Sequence, residues 1–117
     1  MLAQNQINTI AELNDFSRRH WYDPRHCQTM LTQGVRALLS VAGDDLQPLM
    51  AKVSTFNMFT VENAPYNEHD FGSFVWQGEK LFWKFDYYDK AFEYGSDDPA
   101  NPAITKRVLT IILASEY

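Results

Sequence analysis

The sequence predicts an α+β domain: a small antiparallel sheet, a hairpin extended into a meander, covered by two to three helices in the order α-β-α-β-β-β-α. Three observations lead there. Residues 62–98, ENAPYNEHDFGSFVWQGEKLFWKFDYYDKAFEYGSDD, concentrate aromatic rings and carboxylates and hold two strand-like runs around a Gly-Glu pair. Before that stretch, apolar residues recur at the three- and four-residue intervals of helices packed by one face. A chain of 117 residues, 45% hydrophobic and 21% charged, is the size of one domain that buries a core without disulfides or structural metal. Residues 1–117 therefore read as a single domain, with residues 1–6 expected to be disordered.

The elements follow in order. Thr9-Ile10-Ala11-Glu12 has the spacing of a capping box, so a first helix is expected to start there, burying Ile10, Leu13 and Phe16. Arg18 and Arg19 suit its C-terminal end, and it must stop before Asp23-Pro24. Residues 27–32 (CQTMLT) read as a short strand. Residues 35–41 are apolar and fit either a helical turn or a second extended piece. A further helix starting at Asp44 or Asp45 accommodates Pro48 in its first turn and carries the stripe Leu46, Leu49, Met50, Val53 and Phe56 as far as Asn57; Met50 and Met58 are expected to fill the core. A loop follows at Asn63-Ala64-Pro65-Tyr66-Asn67.

Residues 71–77 and 80–88 then flank Gly78-Glu79, the pattern of a hairpin with a type II′ turn. In the second strand Leu81, Trp83, Phe85 and Tyr87 share the face expected to meet the core, while Phe82, Lys84, Asp86 and Tyr88 share the other. Residues 91–94 can return as a third strand. Asn101-Pro102 resembles an N-cap and first-turn proline, which predicts a last helix from Ala103; the β-branched residues of 108–113 leave a closing strand as the alternative.

Charge is unevenly placed. Residues 62–98 hold nine acids against three lysines, a net −6, and the remainder of the chain stands at +1. Such a segment repels a phosphate backbone and suits a basic partner. Nucleotide chemistry is unsupported, because neither a phosphate-binding glycine loop nor a G-x-S-x-G elbow occurs. Cys27 is the one cysteine, which excludes an internal disulfide; beside His26 on a strand it points to the opposite face, so a structural thiol is expected. The N-terminal residues have neither the basic nor the apolar part of a secretory signal, and no apolar run spans a bilayer, so the expected location is the cytoplasm.

Two constellations stand out as candidate sites. His69, between Glu68 and Asp70, could meet Asp86 and Asp89 if the loop before the hairpin folds over the second strand, as a metal-binding or acid–base group. The alternative is a hydrogen-bonded loop staple. The outer face of the hairpin, Phe82, Lys84, Asp86 and Tyr88 with Val75 or Trp76 across the turn, either lies under a helix or forms an exposed aromatic and acidic patch, suited to arginine-rich surfaces.

The runs MLTQGVRAL (30–38), YNEHDFGSF (66–74), FWKFDYYD (82–89) and TKRVLTIILASEY (105–117) resemble a family of small uncharacterised bacterial proteins, common in proteobacteria and their plasmids. The resemblance implies a bacterial cytosolic protein that travels on mobile elements, and brings no assigned activity. The expected function is thus a non-catalytic protein-interaction module, without cofactor or metal, whose binding residues are His69, Asp70, Lys84, Asp86, Tyr88, Asp89 and Glu93. Its expected partner is a basic protein surface, as in an inhibitor of a nucleic-acid-directed bacterial defence enzyme of anti-CRISPR or anti-restriction type. Direct nucleic-acid or membrane binding is not expected, and the protein would be a monomer or homodimer. The alternatives are a small metal-binding or hydrolytic enzyme centred on His69 with Asp70, Asp86 or Asp89, and a structural or regulatory homodimer.

Overall fold

The computed structural model describes residues 4–60 and 67–117; the loop expected at 63–67 lies, apart from Asn67, outside them. The elements are α1 (Gln4–Arg19), β1 (Gln28–Leu31), α2 (Gln33–Val41), α3 (Leu46–Ser54), β2 (Phe71–Trp76), β3 (Glu79–Tyr88) and β4 (Lys106–Leu113), closed by a 3₁₀ turn (Ala114–Glu116). The class is α+β as expected, in a different order: two helices stand between β1 and β2, and the chain ends on a strand and a turn rather than a helix. The four-stranded sheet runs β1-β4-β3-β2. The β2–β3 and β3–β4 pairs are antiparallel and β1–β4 is parallel, so the sheet is mixed.

Helix α1 begins at Gln4, which places Thr9 inside it rather than at a cap. Residues 35–41, open between two conformations in the sequence, are helical. Their helix has no side-chain cap from Thr32. Glu116 supplies it from the other end of the chain: its carboxylate accepts from the Gly34 amide (3.0 Å), the Thr32 hydroxyl (2.7 Å) and the Leu113 amide (3.0 Å). The Thr32 bond chiefly, then the two amides, hold its pKa below the ordinary glutamate value. A Cβ at Gly34 would stand 2.7 Å from Glu116 Cδ and Leu113 Cδ1, so a larger residue there would displace these side-chain ends. Helix α3 starts as the sequence indicates, with the Asp45 carboxylate accepting from the Gln47 amide at 3.0 Å. Its stripe goes inward: Leu49, Met50 and Val53 are fully buried, with Leu46 and Phe56 against them. Met58, expected in the core, is exposed, because α3 ends at Ser54 and the stripe with it.

The hairpin is present with its turn one residue earlier than expected. Trp76 pairs with Glu79, and Gln77 (φ 53°) and Gly78 (φ 76°) are both left-handed, the requirement of a type I′ rather than a type II′ turn. A type I′ turn matches the right-handed strand twist, at a cost of about 1 kcal/mol for a non-glycine residue at the first position. Residues 91–94 are not a strand. The Asp89 carboxylate accepts from the amides of Ala91 (3.2 Å) and Glu93 (3.0 Å), Phe92 is left-handed (φ 57°), and a lone Tyr88–Gly95 bridge is all the pairing that results.

The predicted C-terminal helix is β4. Asn101 does act as a local cap, its side chain accepting from the Ala103 amide at 2.9 Å, but the result is a turn that does not propagate. The β-branched run beyond it fills the slot between β3 and β1, which provides ladder partners on both sides. Leu81, Trp83 and Phe85 of β3 join Leu109 and Ile111 of β4 and the buried residues of α2 and α3 in one core. Trp83 lies across Gly72, its cross-strand partner, where any Cβ would come within 2.3 Å of the indole nitrogen. The helices' buried side chains thus meet one face of the sheet.

Candidate interaction surface

The other face takes alternate residues of all four strands. Register places Met30, Thr110, Lys84 and Phe71 in one row, Ile112, Phe82 and Ser73 in the next, and Val108 beside Asp86. Its rings pack on one another: Phe71 and Phe82 are 5.0 Å apart, and Tyr117, itself exposed, meets Phe82 edge-on at 5.4 Å. Met30, Val75 and Tyr88 are exposed, and Phe82, Lys84 and Asp86 half-buried. Of the two readings open for this face, the sheet as a middle layer and a partly exposed patch, the described residues match the second.

Lys84 and Asp86, two apart on one strand and therefore on one face, form an ion pair at 2.5 Å. Lys80 lies over the Phe82 ring at 5.6 Å. The flat face is aromatic and of mixed charge, not acidic. The acids gather at its end, in the loop from β3 to β4, where Asp89, Glu93, Asp97 and Asp98 follow one another. Glu93 is exposed. Asp89 is occupied in folding that loop, and Tyr88 links the two regions, its ring 6.1 Å from that of Phe92.

His69 and Asp70 lie elsewhere, at the start of β2. His69 Nδ1 is 3.0 and 3.1 Å from the two oxygens of Asp15 on α1, and its ring stacks flat on Phe59 at 3.9 Å. Asp15 also holds Arg18 at 2.8 Å. Arg18 is buried; it donates to the carbonyls of Val53 (2.7 Å) and Phe56 (2.9 Å) at the end of α3, and its guanidinium lies 4.5 Å from the Trp83 ring. A cation there satisfies orphan carbonyls and meets the negative end of the helix dipole. The histidine thus ties the residues ahead of β2 to α1 and to Phe59, five residues beyond the end of α3. Asp70 gives its carbonyl to the Phe85 amide (2.9 Å), while burial, then the neighbouring Asp86, push its carboxyl pKa upward. Among the described residues, no three His, Cys, Asp or Glu side chains gather as a metal-binding set.

Sequence reasoning missed Asp15, Arg18 and Asn14, because only the packing of α1 gives them partners. Asn14, fully buried, donates to the Tyr87 hydroxyl (2.8 Å) and the Glu68 carbonyl (3.0 Å) and accepts from Arg107 Nε at 2.9 Å. A buried polar residue in an otherwise amphipathic helix was the one available signal. Cys27 is buried as expected, and burial raises its thiol pKa, which keeps it protonated and unreactive. No helix among the described residues is long and apolar enough to cross a membrane.

The fold and surface define a small two-layer α+β protein with helices on one side of the sheet and an aromatic face on the other. Residues 31–116 match the family described as "Protein of unknown function (DUF3768)", and the chain belongs to that family. The match takes in α2 through the C-terminal turn and leaves out α1, which supplies the partners of His69 and Arg107. No curated protein and no solved structure matches the chain.

Proposed function

We propose that the protein is a non-catalytic, cytoplasmic interaction module that docks through its open sheet face, with the acidic β3–β4 loop steering a basic protein onto it. The uncovered face carries this reading. It groups Phe71, Phe82, Tyr88 and Tyr117, half-buried or exposed, around the Lys84–Asp86 pair. Rings of this kind anchor interfaces, and carboxylates at the rim raise the association rate for a basic surface. Contacts to arginine side chains would combine charge-assisted hydrogen bonds donated to the carboxylates of Asp86 and Glu93 with stacking on Tyr88. The finer reading keeps the expected partner, a nucleic-acid-directed bacterial defence enzyme that this module would block.

The test is co-elution of the full chain with candidate nuclease complexes at low and high salt. A stable complex at low salt, weakened about tenfold or more by the paired reversals Glu93→Lys and Asp97→Lys and by Tyr88→Ala, is the expected result. Binding indifferent to all three substitutions would overturn the assignment of the face. Self-association by sedimentation, abolished by Tyr88→Ala, would replace the basic partner with a second copy of the chain.

A further inference from the structure

A second feature is a cavity of about 530 Å³ on the helix side of the sheet, between α1, the segment leading into β1, and the β3–β4 loop. Its volume falls within the range of small-molecule sites. In a chain of net charge −5, it is lined by Arg25, His26, Lys90, Lys106 and Arg107, with no carboxylate among the lining residues. Arg25 is paired with Asp23 at 2.8 Å; no ion pair involves Lys90, Lys106 or Arg107 among the described residues.

Arg107 is the unusual member. It is 6% exposed, and its hydrogen bonds run from Nε to the Asn14 carbonyl oxygen (2.9 Å) and from one terminal nitrogen to the Pro99 carbonyl, both neutral. Its guanidinium lies 5.2 Å from the Tyr87 ring. A buried cation held without a counter-charge is costly, and proteins ordinarily satisfy it with a carboxylate or a ligand anion. Beside the polar Ser17, Gln28 and Thr105, the lining offers apolar surface from Phe16, with the His26 ring edge-on at 4.9 Å, and from Phe92 and Pro102.

We propose that this cavity binds a small organic anion with a planar body, its carboxylate or phosphate head held by Arg107 with Lys90 and Lys106, and its ring against Phe16 and Phe92. The guanidinium fork matches the planar geometry of a carboxylate and the oxygens of a phosphate. Because its walls come from α1 and from the β3–β4 loop, an occupant would also tie the acidic loop to the helical layer.

Calorimetric titration of the full chain with adenosine monophosphate and with benzoate, against adenosine and benzamide as neutral counterparts, tests the proposal. One of the two anions should bind saturably at millimolar concentration or below while its neutral counterpart does not. The anion that binds distinguishes a phosphate from a carboxylate head. The double variant Lys90→Glu with Lys106→Glu, at one exposed and one half-buried position outside the hydrogen bonds of Asn14 and Arg107, should weaken binding about tenfold or more. Arg107→Lys, checked for native melting, should do the same by removing the fork. Backbone amide shifts on addition should centre on His26 and Phe92. The proposal is overturned if neither anion binds, if neutral and charged probes bind alike, if Lys90→Glu with Lys106→Glu has no effect, or if the shifts map elsewhere.

Discussion

The two faces of β3 carry comparable rings and serve opposite ends. Leu81 and Trp83 are fully buried, Phe85 nearly so, and Tyr87 is pinned by Asn14. One residue along in each case, Phe82, Lys84, Asp86 and Tyr88 remain accessible or half-buried. Alternation guarantees that the faces differ. It does not say which side the helices will take, nor that the other side goes uncovered. The contrast separates residues whose loss should cost folding from residues whose loss should cost only recognition.

The largest test of that contrast is Trp83→Ala, which empties a site fully enclosed by Arg18, Phe56, Phe59 and Gly72. A loss of about 3–5 kcal/mol in urea unfolding is expected; a loss below about 1 kcal/mol would erase the distinction between the faces. Next is Asn14→Ala, which leaves Arg107 Nε and the Tyr87 hydroxyl without their Asn14 partner. It should cost about 2–3 kcal/mol, because unsatisfied buried polar groups carry their full desolvation penalty. On the outer face, Tyr88→Ala should change stability by no more than about 0.5 kcal/mol while weakening partner capture.

The smallest effect is in pH dependence, and its sign is specific. Burial raises the Asp70 pKa above its ordinary 3.8, so the folded state holds its proton more tightly than the unfolded chain. Stability from this group is therefore fully present below about 3.8 and is lost as pH rises through the folded value. Asp70→Asn should raise the melting temperature at neutral pH, with the gain vanishing in acid. Glu116 works in the opposite sense. Its pKa is held below 4.5, so its contribution is present above that value and lost as pH falls through the lower folded one. Glu116→Gln should lower the melting temperature at neutral pH more than in acid. Thermal scans of both variants across this range check the two signs.

Much of the architecture was legible from local chemistry. The α3 stripe from Leu46 to Phe56, its start at Asp45, the strand near residue 28 and the hairpin with its inward face all follow from spacing. The failures share a cause. Asn101-Pro102 and Thr9-x-x-Glu12 carry helix-start signatures, yet β4 forms because β3 and β1 offer it hydrogen-bond partners on both edges, and α1 extends past its apparent cap to Gln4. At the candidate sites, His69 was visible as a titratable ring in a loop, but its partner Asp15 lies 54 residues away and is supplied by packing.

The sequence by itself determined the α+β class, the amphipathic division of β3 and the concentration of acids in residues 62–98, since each rests on residue type and period alone. Tertiary structure decided the rest. Sheet pairing made the last segment a strand, helix packing on the opposite face left Tyr88 exposed and Phe82 and Asp86 half-buried, and the docking of α1 assembled Asn14, Tyr87 and Arg107 into a buried network. Those outcomes depend on which surfaces meet across the chain, and contacts of that range leave no periodic trace in the residues that make them.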